Sequence, residues 1–231
     1  MKSLKNFFLV IGTPRSGTHR VKEFIRYNYY KNKKINKNYR LDARKDIFLK
    51  KTFFYIFDPY IEKKYRLIKK KNLLKKRILS THNYYNKIAF DFKNYQLIIT
   101  LRDPVSTICS IVSYSIKKET MKINPEYKIN TYLDLINNKK IIKKYINSYI
   151  NFYKKILKNN NNQYLENVIF IDYYDILIKK LSKYKLINHK IIKSKTHTTS
   201  KNKQKIKELL RKNYDFTHAK KIYELCKKMH Y

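Results

Sequence analysis

The sequence predicts a single α/β domain over residues 1–231: a central, mostly parallel sheet with helices on both faces. Three observations lead there. Short apolar runs bounded by polar segments alternate with longer stretches of helical periodicity, as strand–helix–strand units do. The chain has only two glycines, Gly12 and Gly17, and both fall where the first apolar run gives way to the first helical stretch. At 231 residues the chain can bury a real core, and no repeat or Pro/Gly/Ser-rich linker divides it.

The strands come first. Residues 7–12 ("FFLVIG"), 77–81, 96–101 ("QLIITL") and 167–171 ("NVIFI") are runs of continuous apolar character, short enough for strands buried on both faces. Helical stretches fill the intervals at 17–30, 104–117, 139–158, 174–184, 202–213 and 216–229, and "KNNNNQ" (158–163) is a polar connection. Parallel sheets of this kind bind ligands beyond the carboxyl ends of their strands. The residues following 11, 81, 101 and 171 therefore matter most.

Composition excludes more than it identifies. The formal charge of +39 suggests a polyanionic partner. Yet Lys, Asn, Ile, Tyr and Phe are inflated together while Gly, Pro and Trp are scarce, as an A/T-rich genome dictates by itself. The lysines are scattered without a block, so no specific nucleic-acid site is expected, although such charge draws in small anions. No run has the length of a membrane span, and the start "MKSLKN" lacks the apolar stretch of a leader. Cys109 and Cys226 suggest neither a disulfide framework nor a metal site, which points to a reducing cytoplasm.

The glycine loop "GTPRSGT" (12–18) joins a strand to a helix start, so its backbone N–H groups and the helix dipole converge on one anion site. Gly12 and Gly17 have the spacing of a Walker A loop, but Thr18-His19 stands where Lys-Ser/Thr is needed, and the cation comes earlier, at Arg15. An arginine, Arg102, ends strand 96–101, and Asp172 is the only candidate Walker B carboxylate. In "LIITLRDPVSTICSIVSY" (97–114), Asp103 and Pro104 suit a helix start, leaving Arg102 at the sheet edge. Ser106, Ser110 and Ser113 follow on one helical face. Arg102 and Ser110 together make a candidate second phosphate site.

These residues resemble a known family. "TPRSGTH" is similar to the phosphosulfate-binding loop of sulfotransferases, and "RDPVSTICS", with serine eight positions after arginine, is similar to their 3′-phosphate motif. Thr81-His82 in "ILSTHNYY" stands where cytosolic members carry Lys-Thr-His with a catalytic histidine, Ser80 replacing the lysine. Tyr173 in "FIDYYDIL" matches a tyrosine near the adenosine, with Tyr174 in place of the acid. "KSKTHTTSKNK" (193–203) is the counterpart of the basic final loop without its Arg-Lys-Gly pattern, and "YDFTHAKKIYELC" resembles the family's carboxyl-terminal end.

The resemblance implies a P-loop-like sulfotransferase domain using 3′-phosphoadenosine 5′-phosphosulfate, without metal, on a hydroxyl or amine acceptor such as a glycan or small molecule. Arg15, Ser16, Gly17, Thr18 and His19 would take the donor's 5′ end, Arg102 and Ser110 its 3′-phosphate, and Tyr173 would lie by the adenosine. His82 would be the general base, with Glu23 in reserve, and Arg15 would stabilise the leaving phosphate. Two other readings stay open: a P-loop kinase or NTPase holding magnesium on Asp172, and a charge-driven nucleic-acid binder. The sulfotransferase reading requires Arg15 and Arg102 to lie within reach of one nucleotide.

Overall fold

A computed structural model describes residues 8–18, 20–21, 39–40, 78–82, 96–117, 131–159, 168–173, 175 and 202–229. Five strands form one sheet: β1 (Phe8–Ile11), β2 (Tyr39–Arg40), β3 (Ile78–Thr81), β4 (Gln96–Leu101) and β5 (Val168–Asp172). Their order is β2-β3-β1-β4-β5, and each adjacent pair is parallel. The first strand is thus central, and the chain builds outward from it in both directions. That arrangement leaves a crevice at the carboxyl end of β1, where ligands of such sheets bind.

Four of the strands match the expected runs to within a residue. The two-residue β2 was not anticipated. The expected helix at 17–30 begins as foreseen, the Val21 N–H bonding the Gly17 carbonyl at 3.1 Å; its remainder lies outside the described residues. The same holds for the expected helix at 174–184 beyond Asp175.

Helix α1 (Pro104–Lys117) starts as its sequence dictates: Asp103 Oδ2 accepts the Ser106 N–H at 2.7 Å, and proline occupies the first turn, where no amide donor is needed. Helix α2 (Tyr132–Asn137) was missed, but it opens on a reciprocal cap. Thr131 Oγ1 accepts the Asp134 N–H at 3.2 Å, and Asp134 Oδ2 accepts the Thr131 N–H at 2.7 Å. Helices α3 (Lys139–Asn159), α4 (Lys203–Asn213) and α5 (Thr217–Lys228) follow the expected spans within two residues.

Helix α3 shows why these segments are helical. Ile142, Ile146, Tyr149, Ile150, Tyr153 and Ile156 are buried at three- and four-residue intervals, while Lys143, Lys144, Lys154 and Lys155 stand in water. Each fully buried aliphatic contributes about 1.5–3 kcal/mol, so the apolar stripe holds the helix and the lysines only solvate it. That stripe packs with Leu9, Ile11, Leu97, Ile99, Leu101 and Phe170 on one face of the sheet, together with residues from α1, α4 and α5. Phe8, Val10, Ile98 and Ile171 on the opposite face are equally buried. Both faces being covered explains why the strands read as continuous apolar runs.

Candidate active site

The carboxyl ends of four strands deliver the chemistry. Gly12 follows β1, His82 follows β3, Arg102 follows β4 and Tyr173 follows β5. The loop after β1 is a tight turn, the Ser16 N–H bonding the Thr13 carbonyl at 3.1 Å, and Ser16 Oγ donates to the same carbonyl at 2.7 Å. Arg15 takes a left-handed backbone with φ 67°, rare for a residue with a side chain, and Gly17 has φ 104°.

The two glycines are explained by protein groups. A Cβ at Gly12 would lie 1.8 Å from Thr100 Oγ1 on β4, and one at Gly17 would lie 2.4 Å from the Tyr173 ring. Thr100 is fully buried, and its hydroxyl shares a 2.7 Å hydrogen bond with Ser16 Oγ. Thr100 is a site residue that sequence reasoning missed. The signal was available: one threonine inside an otherwise apolar buried strand needs a hydrogen-bond partner.

Arg15 and Arg102 lie side by side. Arg102 Nη1 donates to the Arg15 carbonyl at 2.8 Å, and Arg15 Nε donates to Ser110 Oγ at 3.2 Å. Ser110, expected to share a phosphate with Arg102, is thus bonded to Arg15. Arg15 also lies over the Tyr114 ring and Arg102 over the Tyr173 ring, each 4.6 Å from the ring centroid. The Arg102 Nε is buried with no hydrogen-bond partner, an orphaned donor at the sheet edge. The reach condition set by the sequence is met.

A third cation joins them. Lys203, the first residue of α4, is pushed down from the ordinary lysine range by burial and then by the charge of Arg102. Arg102 is also lowered, chiefly by burial, with Arg15 adding repulsion. Arg15 and Arg102 both act to lower Lys203, so three basic side chains gather at this edge of the sheet. The Cys109 thiol, raised by burial, donates to the Lys203 carbonyl at 3.5 Å and ties α4 to α1. The sequence located Lys203 only as part of the 193–203 segment; the rest of that segment, except Asn202, lies outside the described residues.

His82 is half-buried, with Nδ1 2.9 Å from the Gly12 carbonyl. A carbonyl only accepts, so Nδ1 carries the proton and, in the neutral ring, Nε2 is the basic nitrogen. Thr18 and Ser16 are buried at the loop. His19, Glu23 and Tyr174 lie outside the described residues. Asp172 is buried and accepts the Tyr223 hydroxyl from α5. It sits two strands away from β1, whereas β3, which adjoins β1, ends at Thr81 and is followed by His82, not by an acid.

Fold and site together define an α/β domain whose glycine loop lies at the switch point of a parallel sheet, beside Arg15, Arg102 and Lys203. The family model for the sulfotransferase domain matches residues 5–228, and the chain belongs to that family, whose members transfer sulfuryl groups. No curated protein matches it. Among the described residues, no helix is long and apolar enough to cross a membrane.

Proposed function

We propose that this chain, acting as one domain over 1–231, moves a sulfuryl group from 3′-phosphoadenosine 5′-phosphosulfate to a hydroxyl or amine acceptor. The observation that carries this reading is the contiguous set Arg15, Ser110, Arg102 and Lys203 beside the glycine loop. The donor supplies an activated sulfuryl group on a phosphate oxygen that becomes the leaving group. The residues fit it: an orphaned Arg102 Nε and mutually repelling cations suit a ligand phosphorylated at two ends.

The loop from Arg15 to Thr18, with His19 following, holds the 5′ end, and Arg102 with Lys203 holds the 3′-phosphate. Ser110 stands between Arg15 and that second group. The Arg15 guanidinium faces the oxygen on which negative charge grows. Tyr173, already beneath Arg102 and against Gly17, offers a flat wall beside the nucleoside. His82 Nε2 takes the acceptor proton, and the Gly12 carbonyl steadies the imidazolium through Nδ1–H. No step calls for a metal. Glycans and small hydroxylated molecules are the acceptor classes that suit such a base. The buried free thiols Cys109 and Cys226 favour a reducing compartment, and a cytoplasmic location belongs to this reading.

The test is binding of adenosine 3′,5′-bisphosphate by calorimetry, with label transfer from the donor to glycan and small-molecule panels. Arg102→Ala is expected to weaken bisphosphate binding about tenfold to a hundredfold. His82→Ala should lower turnover about 10²–10⁴-fold with the donor still bound. Absence of bisphosphate binding, with magnesium-dependent binding of ATP instead, would replace this reading with a kinase that uses Asp172.

A further inference from the structure

Two core tyrosines reach the site from behind. Tyr149 and Tyr153, one turn apart on α3, are buried with their rings 4.7 Å apart. Tyr149 donates its hydroxyl to the Arg102 carbonyl at 2.8 Å, and Tyr153 donates to the Thr100 carbonyl at 2.7 Å. The match is metric. Four helical residues advance about 6 Å and two strand residues about 6.6 Å, so phenols at i and i+4 reach carbonyls at j and j−2. Helix α3 therefore runs antiparallel to β4 and fastens its last peptides.

Each peptide leads to one half of the anion site. The Thr100 hydroxyl bonds Ser16 Oγ, and Ser16 bonds the Thr13 carbonyl inside the glycine loop. Arg102 carries the guanidinium that reaches the Arg15 carbonyl. Burial raises both phenols well above the ordinary tyrosine range, so each remains a donor throughout the working pH range.

We propose that Tyr149 and Tyr153 are positioning residues: through the Arg102 and Thr100 carbonyls they set the separation between the Arg102 guanidinium and the glycine loop, and thereby the preference for a nucleotide phosphorylated at both ends. The proposal rests on the function proposed above. Its test uses Tyr149→Phe and Tyr153→Phe in the full chain, comparing affinities for adenosine 3′,5′-bisphosphate and adenosine 5′-monophosphate, with thermal midpoints recorded alongside.

Tyr149→Phe is expected to weaken the bisphosphate about tenfold and the monophosphate less than about twofold, narrowing the ratio between them. Tyr153→Phe, acting on the loop, should weaken both nucleotides to a similar extent. A merely structural role predicts a lower midpoint with both affinities unchanged below it, and that result overturns the proposal. Should Tyr149→Phe fail to fold, Tyr153→Phe carries the test alone. It must weaken both nucleotides, and unchanged affinities count against the proposal. A wild-type chain that binds no bisphosphate overturns the functional reading itself, whereas normal binding with unaltered variants overturns only the tyrosine roles.

Discussion

If Thr100 is the reason residue 12 has no side chain, then Gly12→Ala and Thr100→Ala must be strongly coupled. The new Cβ would sit 1.8 Å from Thr100 Oγ1 and 2.4 Å from Ser16 Oγ. The first distance is about 1.5 Å inside an ordinary C···O contact of about 3.3 Å. Both oxygens belong to buried, hydrogen-bonded groups, so neither swings away without loss. Overpacking of this severity falls at the upper end of the usual range, about 3 kcal/mol. Thr100→Ala alone removes the bond to Ser16 at a cost of about 1–2 kcal/mol. In the double variant the worst clash is gone, leaving the Ser16 contact and a milder one with Thr18 Cγ2 at 3.1 Å, so the total should be about 2 kcal/mol, against an additive sum of about 4–5. Guanidinium unfolding measures all four proteins. In a thermal scan, Gly12→Ala should melt roughly 6–12 °C below wild type, at about 2–4 °C per kcal/mol for a chain of this size. Additivity within about 0.5 kcal/mol would refute the reasoning and return the glycine to a role in ligand approach.

Two further outcomes follow from the same geometry. Gly17→Ala combines a positive φ with a Cβ 2.4 Å from the Tyr173 ring, over which Arg102 also lies. It should cost about 2–4 kcal/mol and weaken bisphosphate binding, both readable in one denaturation and titration series. Lys203 predicts a pH dependence. In the proposed function its charged form binds the anion, and its free-state value is lowered, so affinity should fall as pH climbs through that lowered value. Bisphosphate titrations from neutral to alkaline pH should show this loss below the ordinary lysine range, and Lys203→Met should abolish that pH dependence.

Much of the framework was legible because burial on both sheet faces leaves a plain mark. Strands such as "QLIITL" have no polar alternation to confuse with helix, and α3 repeats its apolar residues at helical intervals. Gly12, His82 and Arg102 could be singled out together because parallel strands all end on one edge, whereas Tyr173 came from the resemblance alone. The misses have physical reasons. Helix α2 is only six residues long, too short for periodicity, although Thr131 and Asp134 announced its cap. Strand β2 is two residues in a lysine-rich stretch. The tyrosines were discounted as compositional bias, but Tyr149, Tyr153, Tyr214 and Tyr223 each spend a buried hydroxyl on a specific acceptor. Composition explains why tyrosine is common; only the fold shows which copies bear weight. That Gly12 and Gly17 also make room for protein groups was not legible, because a sequence does not reveal that Thr100 on β4 and Tyr173 just past β5 press into that space.

The imidazole of His82 leans on the peptide that opens the glycine loop, so in the proposed function proton removal and nucleotide grip share one mechanical joint. A displacement of that joint carries the ring along, so movement of the loop would disturb both halves of the proposed reaction together.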